Sequence, residues 1–227
     1  MDFSELDAMI DQLGARALVD TLEPFLTEAR KARIEQVLAG RLESVRVGVE
    51  CPEDPHNAAA VVRSAEALGA MHVHVVDAPT GALHAPGTTQ GAYCWVHTYH
   101  HASLEELVGA MRREGVALAG AMMEGAFTLE ELPNDRPLMI LFGNEGTGLS
   151  SAAQAACDFT YRIPMVGMSE SMNLSVCAAL SLYSATRARR AYLGASGDLG
   201  GARLLYERAR YYARSVDRRM LDALLRK

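Results

Sequence analysis

The chain alternates between short apolar runs and amphipathic stretches. Leu6, Met9, Ile10, Leu13, Ala17 and Leu18 recur at helical spacing over residues 4–22, and Ile34, Val37, Leu38 and Leu42 do so over 27–42. The pattern then changes period. In VRVGVE, Val45, Val47 and Val49 alternate, which predicts a strand. An Ala-rich helix is predicted over 57–68, stopped by Gly69, followed by a second strand, MHVHVVD, over 71–77. Ser103 and Glu106 form a capping box for a helix that ends at Gly115. VALAGAMM (116–123), LMILFG (138–143) and FTYRIPM (159–165) have strand length, and helices are predicted near 150–156, 174–192 and 202–226. Near-continuous apolar strands separated by helices specify a mostly parallel α/β sheet with helices on both faces, flanked by N- and C-terminal helices.

In such a sheet ligands bind beyond the carboxyl ends of the strands. Three polar, turn-rich stretches fall there: CPEDPHN (51–57), GNEGTGLS (143–150) and VGMSESMNLS (166–175). The last is an unusual entry to a helix, with Ser169, Ser171, Asn173 and Ser175 all able to cap it. Gly143, Gly146 and Gly148 allow tight backbone approach around Glu145, and Ser150 can cap the next helix. Asn57 opens a helix that carries Arg63 six residues on. Those side chains diverge by roughly 120° and lie about 9 Å apart along the axis. An arginine there either snorkels or meets an anion.

Composition narrows the class. The 227 residues, 49% hydrophobic and 22% charged, are those of an ordinary soluble globular protein, and no apolar stretch approaches the ~18 residues of a membrane span. The four scattered cysteines and the acidic start predict a cytoplasmic chain with reduced thiols. No histidine has a partner at metal-ligand spacing, so no metal is expected. Neither G-x-G-x-x-G nor a P-loop occurs, which disfavours a nicotinamide oxidoreductase. The net charge of −6 is uneven: residues 1–29 carry seven acids and one base, residues 187–227 eleven bases and four acids. The basic tail is expected to meet a polyanion through Arg208, Arg210, Arg214 and Arg218, and the acidic residues 1–29 to be dispensable for chemistry.

The stretch Asn57–Arg63, ILFGNEGTGLS and RIPMVGMSESMNLSV resemble the three motifs of the SpoU family of RNA ribose 2′-O-methyltransferases, in order, over roughly residues 30–192. Within it the chain looks most like the TrmH-type tRNA enzymes. The resemblance implies a C-terminal deep trefoil knot, a homodimer, and S-adenosylmethionine held near Gly120, Gly143, Ile163 and Met172. It implies catalytic roles for Arg63, Asn57, Glu145 and Asn173 and an RNA contact for Ser171. It also implies methyl transfer to a ribose 2′-hydroxyl, with a D-loop guanosine of tRNA as favoured substrate. An rRNA substrate and a catalytically silent RNA-binding protein are the alternatives. The segmentation expected is a helical extension (1–43), a methyltransferase domain (44–192) and a basic helical extension (193–227). Relatives carry basic residues just before the first motif, where this chain has Glu50, Glu53 and Asp54.

Overall fold

In a computed structural model, residues 3–78, 83 and 86–225 are described. The chain runs α1 (Phe3–Leu13), α2 (Ala15–Leu22), α3 (Glu28–Ala39), β1 (Leu42–Glu50), α4 (Pro55–Leu68), β2 (Ala70–Val76), α5 (Pro86–Thr89), β3 (His97–His101), α6 (Leu104–Arg113), β4 (Ala117–Ala121), β5 (Phe127–Thr128), β6 (Leu138–Phe142), α7 (Ser151–Ala156), β7 (Phe159–Arg162), α8 (Leu174–Leu193), α9 (Gly201–Arg214) and α10 (Arg218–Leu225). By packing it divides into two units, Leu42–Ala195 and a second built from Met1–Arg41 with Ser196–Lys227.

The larger unit holds a seven-stranded sheet in the order β3-β2-β1-β6-β4-β7-β5, with every pairing parallel. The central strands β1, β2 and β6 are buried on both faces, as their largely apolar runs require. On one face Val45, Val47, Val49, Ile140 and Phe142 pack with Val61 and Val62 of α4 and with Leu174, Ala178 and Leu182 of α8. On the other, Met139 and Leu141 pack with Leu107 and Met111 of α6 and Ala153 of α7. Each fully buried Val or Leu contributes about 1.5–3 kcal/mol, so this layering fixes the strand order and leaves the carboxyl-end loops to carry function.

β3 escapes the apolar pattern because its sequence, HTYHH, is polar. Its inward residues His97, Tyr99 and His101 stack against His72 and His74 of β2 instead. His74 Nδ1 lies 3.0 Å from His101 Nε2. Burial, with His101 and Arg46 adding to it, holds the His74 pKa well below the ordinary value, so its ring is neutral.

The smaller unit corrects the reading of the basic tail. The single helix expected over 4–22 is two, parted at Gly14 with φ 83°, and the expected last helix is also two, with residue 226 outside the described residues. Leu6, Ile10, Leu18, Leu22, Ile34, Leu38 and Ala209 are buried. Arg210, 2% exposed, lies 3.3 Å from Asp7 and 3.1 Å from Glu207, which is wholly buried and also meets Arg203. Arg208 grips Glu35 with two bonds of 2.6 and 2.7 Å, and Arg218 reaches Glu5 at 3.1 Å. Arg214 is half-buried. The basic residues expected to face RNA are therefore engaged largely with the chain's own acids. Residues 1–29 supply part of the core that a truncation would remove. Thirteen bases against twelve acids leave this unit at +1, and nine against sixteen leave the sheet unit at −7.

Candidate active site

The first of the three loops, Cys51–Asp54, leaves β1. Asp54 caps α4 by accepting from the His56 amide at 2.8 Å, and Pro55 takes the first helical position, where a missing N–H costs nothing. Asn57 thus sits in the first turn of α4, and Arg63 lies two turns on, exposed and with no partner among the described residues.

The second loop, 143–150, leaves β6. It is closed by paired backbone bonds between Asn144 and Gly148. Gly143 must be glycine, since a Cβ would collide with the backbone of Gly148 and Leu149. Asn144 donates to the Cys51 carbonyl at 2.9 Å and accepts from the Gly146 and Thr147 amides. Glu50, the last residue of β1 and 6% exposed, accepts from both the amide (2.9 Å) and the hydroxyl (2.6 Å) of Ser150. The third loop, 163–172, leaves β7 and ends at Asn173, which caps α8 by accepting from the Ser175 amide at 2.8 Å and hydroxyl at 2.6 Å.

One chain of hydrogen bonds joins all three. The Glu145 carboxylate accepts from the amides of Glu53 (2.8 Å) and Asp54 (3.3 Å) and from Asn57 Nδ2 (3.0 Å). Asn57 Oδ1 accepts from Asn173 Nδ2 at 3.0 Å. Burial raises the Glu145 pKa, but the Glu53 amide, Asn57 and the Asp54 amide outweigh it and hold the group below its ordinary value. The amide orientations are forced at both ends. A carboxylate can only accept, and the Ser175 amide can only donate, so Asn57 and Asn173 must each donate toward Glu145.

The structure brings together Asn57, Glu145 and Asn173. Ser171 is exposed just before Met172, and Ile163 and Met172 are half-buried along the same loop. Gly120, near the end of β4, is glycine for packing: a Cβ would meet Cys157 Sγ at 2.8 Å and Leu149 Cδ1 at 2.9 Å. Gly120 and Gly143 can offer a ligand backbone groups alone. No thiolate nucleophile is at hand, since burial raises the pKa of both Cys51 and Cys177. Among the described residues no group of His, Cys, Asp or Glu is placed to hold a metal ion. Sequence reasoning missed the roles of Glu50 and Asn144. A lone acid ending an apolar strand was the available signal for the first. Two of the three acids before the first motif also have local work: Glu50 ties down Ser150, and Asp54 caps α4.

Residues 44–183 match the SpoU rRNA methylase family. The chain belongs to that family. A curated relative, the tRNA (guanosine(18)-2′-O)-methyltransferase of Thermus thermophilus, is 37% identical over 164 residues, which is 72% of this chain and 84% of the relative. Among solved structures, the A. aeolicus TrmH/SpoU tRNA modifying enzyme superposes with a TM-score of 0.73 at 24% identity, covering 84% of this chain and 98% of that one, a likeness of fold. The SpoU methyltransferase AviRb from Streptomyces viridochromogenes, solved with AdoMet, gives a TM-score of 0.60 at 30% identity, covering 66% and 62%. The three loops joined by the Glu145–Asn57–Asn173 chain all lie inside the span that matches the family.

Proposed function

We propose that the protein transfers a methyl group from S-adenosylmethionine to the ribose 2′-hydroxyl of a D-loop guanosine in tRNA. The observation that carries this reading is the hydrogen-bond chain that binds the loops after β1, β6 and β7 into one surface, with the unpaired guanidinium of Arg63 rising from the same helix as Asn57. The fit to the methyl donor rests on the donor set. The loop 163–172 presents apolar side chains, among them Val166 and Met168, fully exposed, with a single charge at Glu170. Backbone groups at Gly120, Gly143, Ile163 and Met172 would hold the adenosine, as apolar contacts and main-chain bonds suit a purine.

Bound there, S-adenosylmethionine supplies an electrophilic methyl group on a sulfonium. The chain's own residues do the rest. A ribose hydroxyl is a very weak acid, so its developing oxyanion needs a charged donor. Arg63 presents a planar, five-donor cationic fork, which suits it to clamp that oxygen and the adjoining phosphate. Asn57, Glu145 and Asn173 hold the loops in register, and Ser171 offers a hydroxyl to the RNA. Of Arg208, Arg210, Arg214 and Arg218, Arg218 is the most open to exchange with a phosphate, because its pair with Glu5 is half exposed on both sides.

The reading extends to assembly. On α8 the exposed apolar residues Val176, Leu180 and Tyr183 recur at helical spacing, which supports a second copy of the chain as their cover. The segment after β6 is proposed to form the trefoil knot. The test is incubation with labelled S-adenosylmethionine and separated tRNA and rRNA, followed by mapping. Label on a D-loop guanosine ribose of tRNA is the expected result. Label on rRNA alone moves the substrate, and label on a base or on nothing overturns the reading.

A further inference from the structure

We infer that Glu50 is a positioning residue for the Glu145–Asn57–Asn173 chain, acting through Ser150. The inference rests on the proposed methyl transfer only for its kinetic arm. A carboxylate that is 6% exposed at the end of an apolar strand is costly to bury unless it is satisfied. Here it takes both donors of one residue, Ser150 N at 2.9 Å and Ser150 Oγ at 2.6 Å. Turning the hydroxyl hydrogen toward Glu50 frees the Oγ lone pair, which accepts from the Ala153 amide at 3.1 Å and so starts α7.

The neighbouring Cys51 carbonyl accepts from Asn144. Glu50, the last residue of β1, and Cys51, the first of the loop that follows, therefore hold both ends of the loop 143–150. The loop itself is stiff, being closed by the Asn144–Gly148 pairing and by the close approach of Gly143 to Gly148 and Leu149. A stiff loop pinned at both ends has one placement, and Glu145, next to Asn144, inherits it. That placement decides where the Glu145 carboxylate meets the Glu53 and Asp54 amides and Asn57, and through Asn57 where Asn173 stands. Releasing one pin by removing the Glu50 carboxylate lets the loop swing about the other.

The test compares wild type with Glu50→Ala and Glu50→Gln. Glutamine keeps an oxygen for the Ser150 amide and can donate to its hydroxyl, so it should largely restore the pin. The first readout is amide hydrogen exchange at Ser175, which bonds Asn173 at the far end of the chain and is no sequence neighbour of Glu50. In Glu50→Ala it should quicken roughly tenfold, the scale of a lost hydrogen bond to a charged acceptor, with Val73 and Val75 of β2 unchanged and glutamine close to wild type. Wild-type protection at Ser175 in the alanine variant overturns the inference, as does equal acceleration in β2, which marks general destabilisation. The second readout is single-turnover methyl transfer. Glu50→Ala should slow wild type but add nothing to Glu145→Ala, because both act through the same carboxylate. Additive losses overturn the inference. A wild type that methylates no RNA overturns the proposed function, while the exchange data still decide the role of Glu50.

Discussion

Replacing Glu145 with glutamine changes one oxygen for one nitrogen, and the structure says what that does. The carboxylate accepts three hydrogen bonds and donates none. An amide in its place meets a mismatch either way: with its oxygen toward the Glu53 N–H it turns its own N–H bonds on the Asp54 amide and Asn57 Nδ2, both donors, and turned over it keeps those two but sets its nitrogen against the Glu53 N–H. Asn57 can flip to present its oxygen, but then its Nδ2 faces Asn173 Nδ2. Asn173 cannot flip in turn, because its Oδ1 is committed to the Ser175 amide and hydroxyl that start α8. One bond in the chain must be lost wherever the mismatch is placed. Because the site is exposed and water can step in, the loss of fold stability should be on the order of 1 kcal/mol or less. The effect on turnover should be larger, roughly 10- to 100-fold, since a displacement of about 1 Å at a reacting centre costs that much. Single-turnover methyl transfer and thermal unfolding, measured together, separate the two. The decisive arm is a second change, Asn57→Asp, in the glutamine background. The introduced carboxylate accepts from both neighbours and restores an unbroken chain, so the double variant should outrun Glu145→Gln. Alone, Asn57→Asp sets two carboxylates face to face and should be slower than wild type. A glutamine variant with full turnover, or a double variant no faster than its slower parent, would refute the directional account. The same logic fixes the pH response. The folded pKa of Glu145 lies below the ordinary 4.5, so its contribution is complete above that value and is lost only as pH falls through the lower, folded one.

Other expectations follow from the same geometry. Arg63→Ala should lower turnover by on the order of 10²–10³ with little change in S-adenosylmethionine affinity, and lysine should rescue poorly for want of a planar fork; normal turnover would remove Arg63 from the chemistry. His74 has a depressed folded pKa, so its stabilising share is complete above the ordinary 6.5 and declines as pH drops below it; melting followed from pH 7.5 to 5 should show the loss, and His74→Phe should flatten it. Arg210→Ala removes one of the two cations that meet the fully buried Glu207, leaving Arg203 as the other, and should destabilise the helical unit by about 1–3 kcal/mol, against roughly 0–1 for Arg218→Ala in denaturant titrations.

The sheet was largely legible because its strands carry their evidence locally. Val45, Val47 and Val49 alternate, and LMILF is apolar throughout, so both announce themselves without knowledge of their neighbours. β3 did not, since HTYHH is stabilised by rings on β2 that its own sequence does not reveal. The motif residues Asn57, Glu145 and Asn173 were legible as types at loop positions, while their connection was not: Asn57 and Asn173 stand 116 residues apart. The arginines of α9 failed for the same reason. A row of Arg208, Arg210 and Arg214 reads as a polyanion surface until Glu35 and Asp7 arrive from the other end of the chain.

That last pairing has a consequence for how the protein is made. α1 to α3 leave the ribosome before the sheet unit does, yet α9, whose arginines meet their acids and which packs against them, is synthesised only after that unit of some 150 residues. At about 5–20 residues per second that is an interval of roughly ten to thirty seconds. Throughout it Leu6, Ile10, Leu18 and Leu22 lack the surface that finally covers them. Nascent chains stalled before Gly201 should therefore recruit chaperones through their first helices, and release them once α9 emerges.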